Sequence, residues 1–582
     1  MSEYFEDLFK TKPYEGDSKV LSLGEAIERF IHPNMILHVS NNKTSFSAIT
    51  EICRKFRGQN PQFEIICLGS ALQIQILVAA NLVKKLIVSY MGNVFPSPAP
   101  SRVFQRAIDK GMEVEHWSML SIVLKLLAGA MNVEFIPTKS LINSTMEKEL
   151  KDDFLVIEDP FGSGEKVGLM KAVKPDLTIM HAWCADPNGN AIVGLPMSER
   201  AYGAYASRSG VIVTAEKIVS TDFIRENAPM VDIPGHIVKA VCETPFGAHP
   251  FSFYAPDGSS YYQDIPFNIE FNKASKKEET TQQWIKEWVY DVEDYQGYLN
   301  KLGFERLMIL KGRGRPDSWK RLLPHTLKKM PKSDNITEEE IAIVEASREL
   351  IKKVKKNGYE ILVAGMGMAN LAAWLAVYNL RTEGIQLDLL VEWGMFGYLP
   401  KPTDPFIFTM SNIPTCKMIT DLVGSIGINI NYPKSMAMLS AGQVDKYGNI
   451  NSTRTNGMML VGSGGANDIV ARTNETMIVM VQNKARLVDK VPYITCPGEK
   501  INKIITSHAV FEKENGTMIL KKYYPQQGLS ESETIQKIEE NTGWKIELAD
   551  HLEKIEPPTK KELSLLRIFD PERYFLGSLK NP

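Results

Sequence analysis

Cysteine is scarce: Cys53, Cys67, Cys184, Cys242, Cys416 and Cys496 are all there are in 582 residues, and no two form C-x-x-C. That spacing gives neither a zinc knuckle nor a disulfide framework, and isolated thiols fit a reducing cytoplasm. The nine histidines show no H-x-x-x-H and no clustering with acids, so no metal site is read. Neither sign of charge is in excess. The formal net charge of -2 gives no case for nucleic acid or an anionic membrane as partner. No apolar run could span a bilayer, since stretches such as Leu120–Met131 are short and broken by Lys125. The opening MSEYFEDLFKTKPYEG has no apolar h-region, so no signal peptide is read. Also absent are G-x-G-x-x-G, a P-loop GK[ST] and the G-x-S-x-G elbow of serine hydrolases.

What is present is an ordinary globular composition, 44% hydrophobic and 23% charged, in a chain long enough for several domains. Ser22 and Glu25 form an S-x-x-E capping signal before a helix at 26–31. A strand at 35–40 and a helix around 45–56 follow. The same order recurs from Thr337 and Glu340: a helix at 341–356, the strand EILVAG at 360–365, then a helix through 371–378. MHAWCADPNGNAI at 180–192 and LSAGQVDKYGNI at 439–450 share D-x-x-G-N, each copy after an apolar strand. The motif is turn chemistry, and its recurrence at equivalent places predicts a duplicated α/β domain. Between the copies lies a charged region from Asn272 to about Asn335. Its aromatic part, 282–304, is expected as one helix and Lys311–Asn335 as a solvated linker.

The stretch LDLLVEWGMFGYLP at 387–400 reads as a buried strand that stops where Glu392 meets a glycine turn. An acid at a strand's carboxyl end beside glycine backbone can be desolvated and still reached by a ligand. Aligning LIVSYMG at 86–92 with LLVEWG sets Ser89 opposite Glu392, so only one copy carries the acid. VGSGGAND at 461–468 leaves backbone N–H groups unobstructed ahead of a helix, as suits an anion or an oxyanion. VAGMGMAN adds a glycine turn at Gly365 and Gly367. His181, at a strand end, reads as buried and hydrogen-bonded, and His249, in GAHP, as a turn residue.

HAWCADPNGN with AGQVDKYGNIN, E-W-G after a strand, and GSGGAND resemble the class I coenzyme A-transferases, glutaconate CoA-transferase type. IPGHIVKAVCETPFGAHP is similar to the family's α segment, and TGWKIEL, PPTKKEL and FDPERYFLG to its β tail. The resemblance implies two related open α/β domains, α then β fused in one chain, with the active site at their interface. An α-like part would span 1–310, a linker 311–335, and a β-like part 336–582. Glu392 would be the nucleophile, with Gly464, Gly465, Gly462 and Gly394 binding the oxyanion or CoA. Ser89 and Trp393 would line the substrate pocket. Acyl-CoA and a carboxylic acid would be the substrates, with coenzyme A as a substrate, no permanent cofactor, and assembly as a homo-oligomer. HVSNNKTS at 38–45 and Met-Ala-Asn after Gly367 depart from the family's glycine-rich and proline-containing turns. An acyl-CoA hydrolase, ring-opening hydrolase or decarboxylase on the same fold stays open, as does a non-catalytic acyl-CoA-binding protein.

Overall fold

The strand Leu177–Ala185 is buried at all nine positions, as a strand covered on both faces must be. It lies within an eight-stranded sheet whose main path runs Val238–Glu243, Val211–Ile218, Leu177–Ala185, Ile36–Val39, Phe63–Ser70, Val83–Met91 and Glu113–His116. All six pairings on that path are parallel, and helices such as Phe46–Lys55 and Leu72–Ala79 make the crossovers. These elements come from a computed structural model, which describes residues 1–10, 16–41, 44–331 and 335–579.

A second, ten-stranded sheet repeats the plan. Its parallel part runs Asp388–Leu390, Ile361–Ala364, Ser435–Leu439, Glu475–Met480 and Ile501–Thr506. Met395–Tyr398 and Met418–Ile419 extend one side, and Ala509–Glu514, Thr517–Tyr523 and Glu547–Lys554 the other. Register reproduces the repeat read from D-x-x-G-N. Leu37 faces Leu177 in one sheet and Leu362 faces Met436 in the other, and the motif alignment superposes those same partners. The motif turns match atom for atom. Asp186 Oδ1 accepts from Asn188 N at 3.0 Å and Asn190 N at 2.8 Å. Asp445 Oδ1 accepts from Tyr447 N at 3.0 Å and Asn449 N at 2.9 Å.

Sheet order corrects one alignment. The strand before Glu392, Asp388–Leu390, pairs with the first strand of its sheet, so its counterpart is Phe63–Ser70 and not Val83–Met91. Ile36 faces Glu64 as Ile361 faces Asp388, which sets Glu392 opposite Leu68. A short apolar strand offers too little pattern to choose between two neighbours of like composition.

The helices open where the capping residues stand. Ser22 accepts from Glu25 N ahead of Leu23–Phe30, and Thr337 with Glu340 forms a full capping box on Glu338–Asn357. The aromatic stretch expected as one helix is broken. A helix over Glu278–Ile285 runs on as a wider turn to Tyr290, and Asp294 then caps a new helix, Tyr295–Leu302, by accepting from Gly297 N. Lys311–Asn335 contains the last turn of the helix Phe304–Gly314 and a further helix, Ser318–Lys329. Asn42 and Lys43 of HVSNNKTS lie outside the described residues, as do 332–334 of the linker. One continuous core crosses between the halves: Leu68, Trp117 and Leu120 from the first pack with Leu390, Ile426 and Ile469 from the second. The site lies at this junction.

Candidate active site

Glu392 stands at the tip of a turn that reverses the chain between Asp388–Leu390 and Met395–Tyr398. Val391 N donates to Met395 O and Gly394 N to Val391 O, both at 2.9 Å. Gly394 adopts φ +109°, and a Cβ there would stand 1.8 Å from the Thr420 carbonyl oxygen, so no other residue fits. The turn is clamped from outside. Ser425 Oγ donates to the Glu392 carbonyl, Thr420 N donates to Gly394 O at 2.9 Å, and Ser198 N of the first half donates to Trp393 O at 3.2 Å. With every carbonyl from Val391 to Gly394 engaged, the Glu392 side chain has a fixed base.

The carboxylate rests against the glycine loop. At Gly465 a Cβ would come within 2.2 Å of Glu392 Oε2, so any larger residue pushes the carboxylate away from the loop. The loop is anchored on the first half: Met91 N donates to Val461 O at 2.7 Å, Gly464 N to Ser89 O at 2.9 Å, and Met119 N to Gly464 O at 2.9 Å. Asp468, one turn further on in the helix Ala466–Arg472, is fully buried. It accepts from Ser118 Oγ and Ser140 Oγ, each at 2.6 Å, and from Leu120 N at 2.9 Å. All three donors belong to the first half.

These surroundings set the acid's chemistry. Burial, joined by repulsion from the Asp468 carboxylate, pushes the Glu392 carboxyl up to about 7. The Asp468 carboxyl is itself raised by burial, against the pull of Arg472 and its hydrogen bonds. A carboxylate held near neutral pH is more basic, and so more nucleophilic, than an ordinary glutamate, while half of it stays ionised at pH 7.

The structure brings most of the sequence-picked residues together. Ser89 is buried beside the loop, presenting its carbonyl to Gly464 and donating its Oγ to Leu68 O. Trp393 stacks on Phe408 with ring centroids 4.1 Å apart and planes at 17°, and its Nε1–H has no partner among the described residues. One expectation needs correction. Gly462 N and Gly464 N are already committed, to Ser452 O at 2.8 Å and Ser89 O at 2.9 Å, which leaves the Gly465 N–H as the donor without a partner among the described residues. Glycine spacing shows which N–H groups are sterically open but not which the fold has already paired. Sequence reasoning also passed over Asp468 and its three donors, although Asp468 closes the same GSGGAND motif. Their signal is spread over Ser118, Leu120 and Ser140, far off in sequence. His181 is fully buried and hydrogen-bonded to Glu216 at 2.8 Å, as read, and His249 is buried too, bonded to Tyr298 at 2.7 Å. Among the described residues no group of three or more histidine, cysteine or acidic side chains could hold a metal ion.

The profile of the coenzyme A transferase family matches residues 20–244. Over 314 residues the chain is 31% identical to one subunit of glutaconate CoA-transferase from Acidaminococcus fermentans, in an alignment that spans 50% of this chain and 95% of that subunit. The chain belongs to the coenzyme A transferase family. A second subunit of the same Acidaminococcus enzyme is 26% identical over 271 residues, spanning 42% of this chain and 96% of its own length. This coenzyme A transferase therefore carries α-like and β-like halves in one polypeptide. An acyl-CoA transferase from E. coli O157:H7, solved as a thioester complex with CoA, shares the fold at TM-score 0.66 and 17% identity, over 96% of this chain and 98% of that one. CoA-transferases use CoA as a substrate. No helix among the described residues is long and apolar enough to cross a membrane.

Proposed function

We propose that this coenzyme A transferase moves CoA from an acyl-CoA to a free carboxylic acid through a covalent thioester on Glu392. The observation that carries the reading is one partly exposed carboxylate, raised to about 7 and seated on glycine backbone at the junction of the halves. The Glu392 carboxylate attacks the acyl-CoA carbonyl and expels the CoA thiolate, leaving a mixed anhydride. The thiolate then attacks the glutamyl carbonyl, releasing the first acid and leaving CoA bound to Glu392 as a thioester. The incoming carboxylate attacks that thioester and again displaces thiolate. Attack of the thiolate on the new acyl carbonyl forms the product ester and returns Glu392 as carboxylate.

Within this scheme the Gly465 N–H is the donor for the developing oxyanion, and removal of one such donor costs about 2.7–4 kcal/mol in comparable sites. Gly462 and Gly464 shape the loop, Gly394 shapes the turn, and Ser89 and Trp393 bound the space beside the nucleophile. The stacked Trp393 and Phe408 make that boundary flat and apolar, which favours a small acyl group. The α-like part is assigned to about 1–310 and the β-like part to 336–582.

The test is chemical trapping. The protein is incubated with a panel of short-chain and dicarboxylic acyl-CoAs, reduced with borohydride, digested and mapped by mass spectrometry. Expected is reduction of Glu392 to the alcohol, dependent on acyl-CoA and absent from Glu392→Gln. Turnover of an acyl-CoA with Glu392 unmodified overturns the thioester route.

A further inference from the structure

The segment of the first half that holds the Trp393 carbonyl through Ser198 N also reaches the Glu392 turn by a longer route. Ser198 O accepts from Leu422 N at 2.6 Å, and further along Tyr202 Oη donates to Asp421 Oδ2 at 2.7 Å. The other carboxylate oxygen, Asp421 Oδ1, accepts from Gly424 N at 2.7 Å. The Asp421 carbonyl accepts from Ser425 N at 2.8 Å, and Ser425 Oγ is the group that donates to the Glu392 carbonyl. Tyr202 is thus joined to the backbone of Glu392 through Asp421 and Ser425. Its footing is firm. Tyr202 opens the short helix Tyr202–Ala206, whose Ala206 is buried in the core shared by the two halves. Gly203 of that helix lies so close to His38 that a Cβ would stand 2.0 Å from Nδ1.

Two features exceed what packing alone requires. Asp421 is buried and forms no ion pair among the described residues. A buried carboxylate without a cation costs folding free energy, and an apolar pair of the same shape would hold the halves together as well. Ser198 and Arg200 adopt φ +41° and +50° although neither is glycine, and strain of this kind persists only where the surroundings impose it. We propose that Tyr202 is a positioning residue for CoA transfer: through Asp421 and Ser425 it fixes the Glu392 turn against the glycine loop. The inference rests on the reading of Glu392 as nucleophile. Burial and the Asp421 carboxylate push the Tyr202 hydroxyl up, with Arg200 pulling the other way, so it stays a donor through the neutral range.

Tyr202→Phe removes the hydroxyl and keeps the ring, and two readings are taken on the full-length chain. The first needs no substrate. The difference in unfolding free energy between wild type and Glu392→Gln, followed against pH, gives the midpoint at which Glu392 ionises. The same difference is then taken with Tyr202→Phe in both chains. A loosened turn admits water to the carboxylate, so the midpoint should fall by roughly half a unit or more. The second reading is transfer with the panel of acyl-CoAs: kcat should fall about tenfold while KM for acyl-CoA stays within about twofold. Asp421→Ala should lose at least as much, and adding Tyr202→Phe to it should cost nothing further. Should Asp421→Ala not fold, Tyr202→Phe decides by itself. A folded Tyr202→Phe with an unchanged midpoint or an unchanged kcat overturns the proposal. So does a loss confined to KM, or a full second loss when the two changes are combined. Transfer that survives Glu392→Gln overturns the reading of Glu392 and this inference with it. An inactive Glu392→Gln beside a Tyr202→Phe of wild-type kcat overturns this inference alone.

Discussion

Two glutamates, one from each half, have opposite surroundings. Glu199 is fully buried, yet its carboxylate accepts from Asn41 N at 2.6 Å and lies 3.6 Å from His38 Nε2. Asn41 in turn binds Leu68 N at 3.0 Å and Gly69 N at 3.2 Å, at the strand end that corresponds to Glu392 in the second half. There, the acid faces Asp468 across the glycine loop and is raised to about 7. Glu199, through Asn41, ties together two strand ends of the first half. Glu392, set opposite another carboxylate, is made more basic. The duplicated scaffold provides both environments, and the partner decides between them.

The contrast can be broken most severely at the acid itself. Glu392→Gln should abolish CoA transfer, and Glu392→Asp, which draws the carboxylate back by a methylene, should lose at least about 100-fold in kcat. The same Gln variant should be more stable above neutral pH. Folding raises this carboxyl above its ordinary value, so ionisation costs stability progressively from the usual carboxylate range up to about pH 7. Relief of about 2 kcal/mol is expected in denaturant unfolding at pH 8, fading toward pH 4. Next, Gly465→Ala sets a methyl group against Glu392 Oε2 and should cost about 100-fold in kcat/KM with little loss of fold.

A finer break separates burial from charge. In the proposed route only ionised Glu392 attacks, so kcat/KM of the wild type should rise with pH and level off near 7. Asp468→Asn removes the like charge and should move that limb down, by about one unit or less, because burial is the larger cause. An unmoved limb would remove Asp468 from the account. Smallest in activity is Glu199→Gln, which should lower stability by about 1–3 kcal/mol in thermal unfolding and leave the pH limb in place.

Much of this was legible in the chain. The D-x-x-G-N copies foretold the duplicated sheets because Asp186 and Asp445 each fold a turn from residues two to four positions away. Glu392 stood out because a buried strand ending in an acid and a glycine is rare chemistry written locally. The assignment of its counterpart failed because strand order is set by crossovers between distant segments, and nothing within 86–92 records which neighbour it has. The donors on Asp468 were hidden for the same reason: Ser118 and Ser140 stand 350 and 328 residues away. The engaged N–H groups of Gly462 and Gly464 became visible only once Ser452 and Ser89 were placed beside them.

The backbone bond from Ser198 to Trp393 O, and the three first-half donors on Asp468, give covalent fusion a kinetic meaning. As separate polypeptides, the halves would have to find each other before this pair of carboxylates could be buried, and dilution would undo it. Joined in one chain, each half meets the other at an effective concentration set by the connection and not by expression level. The active site then persists at any protein concentration at which the chain itself is folded.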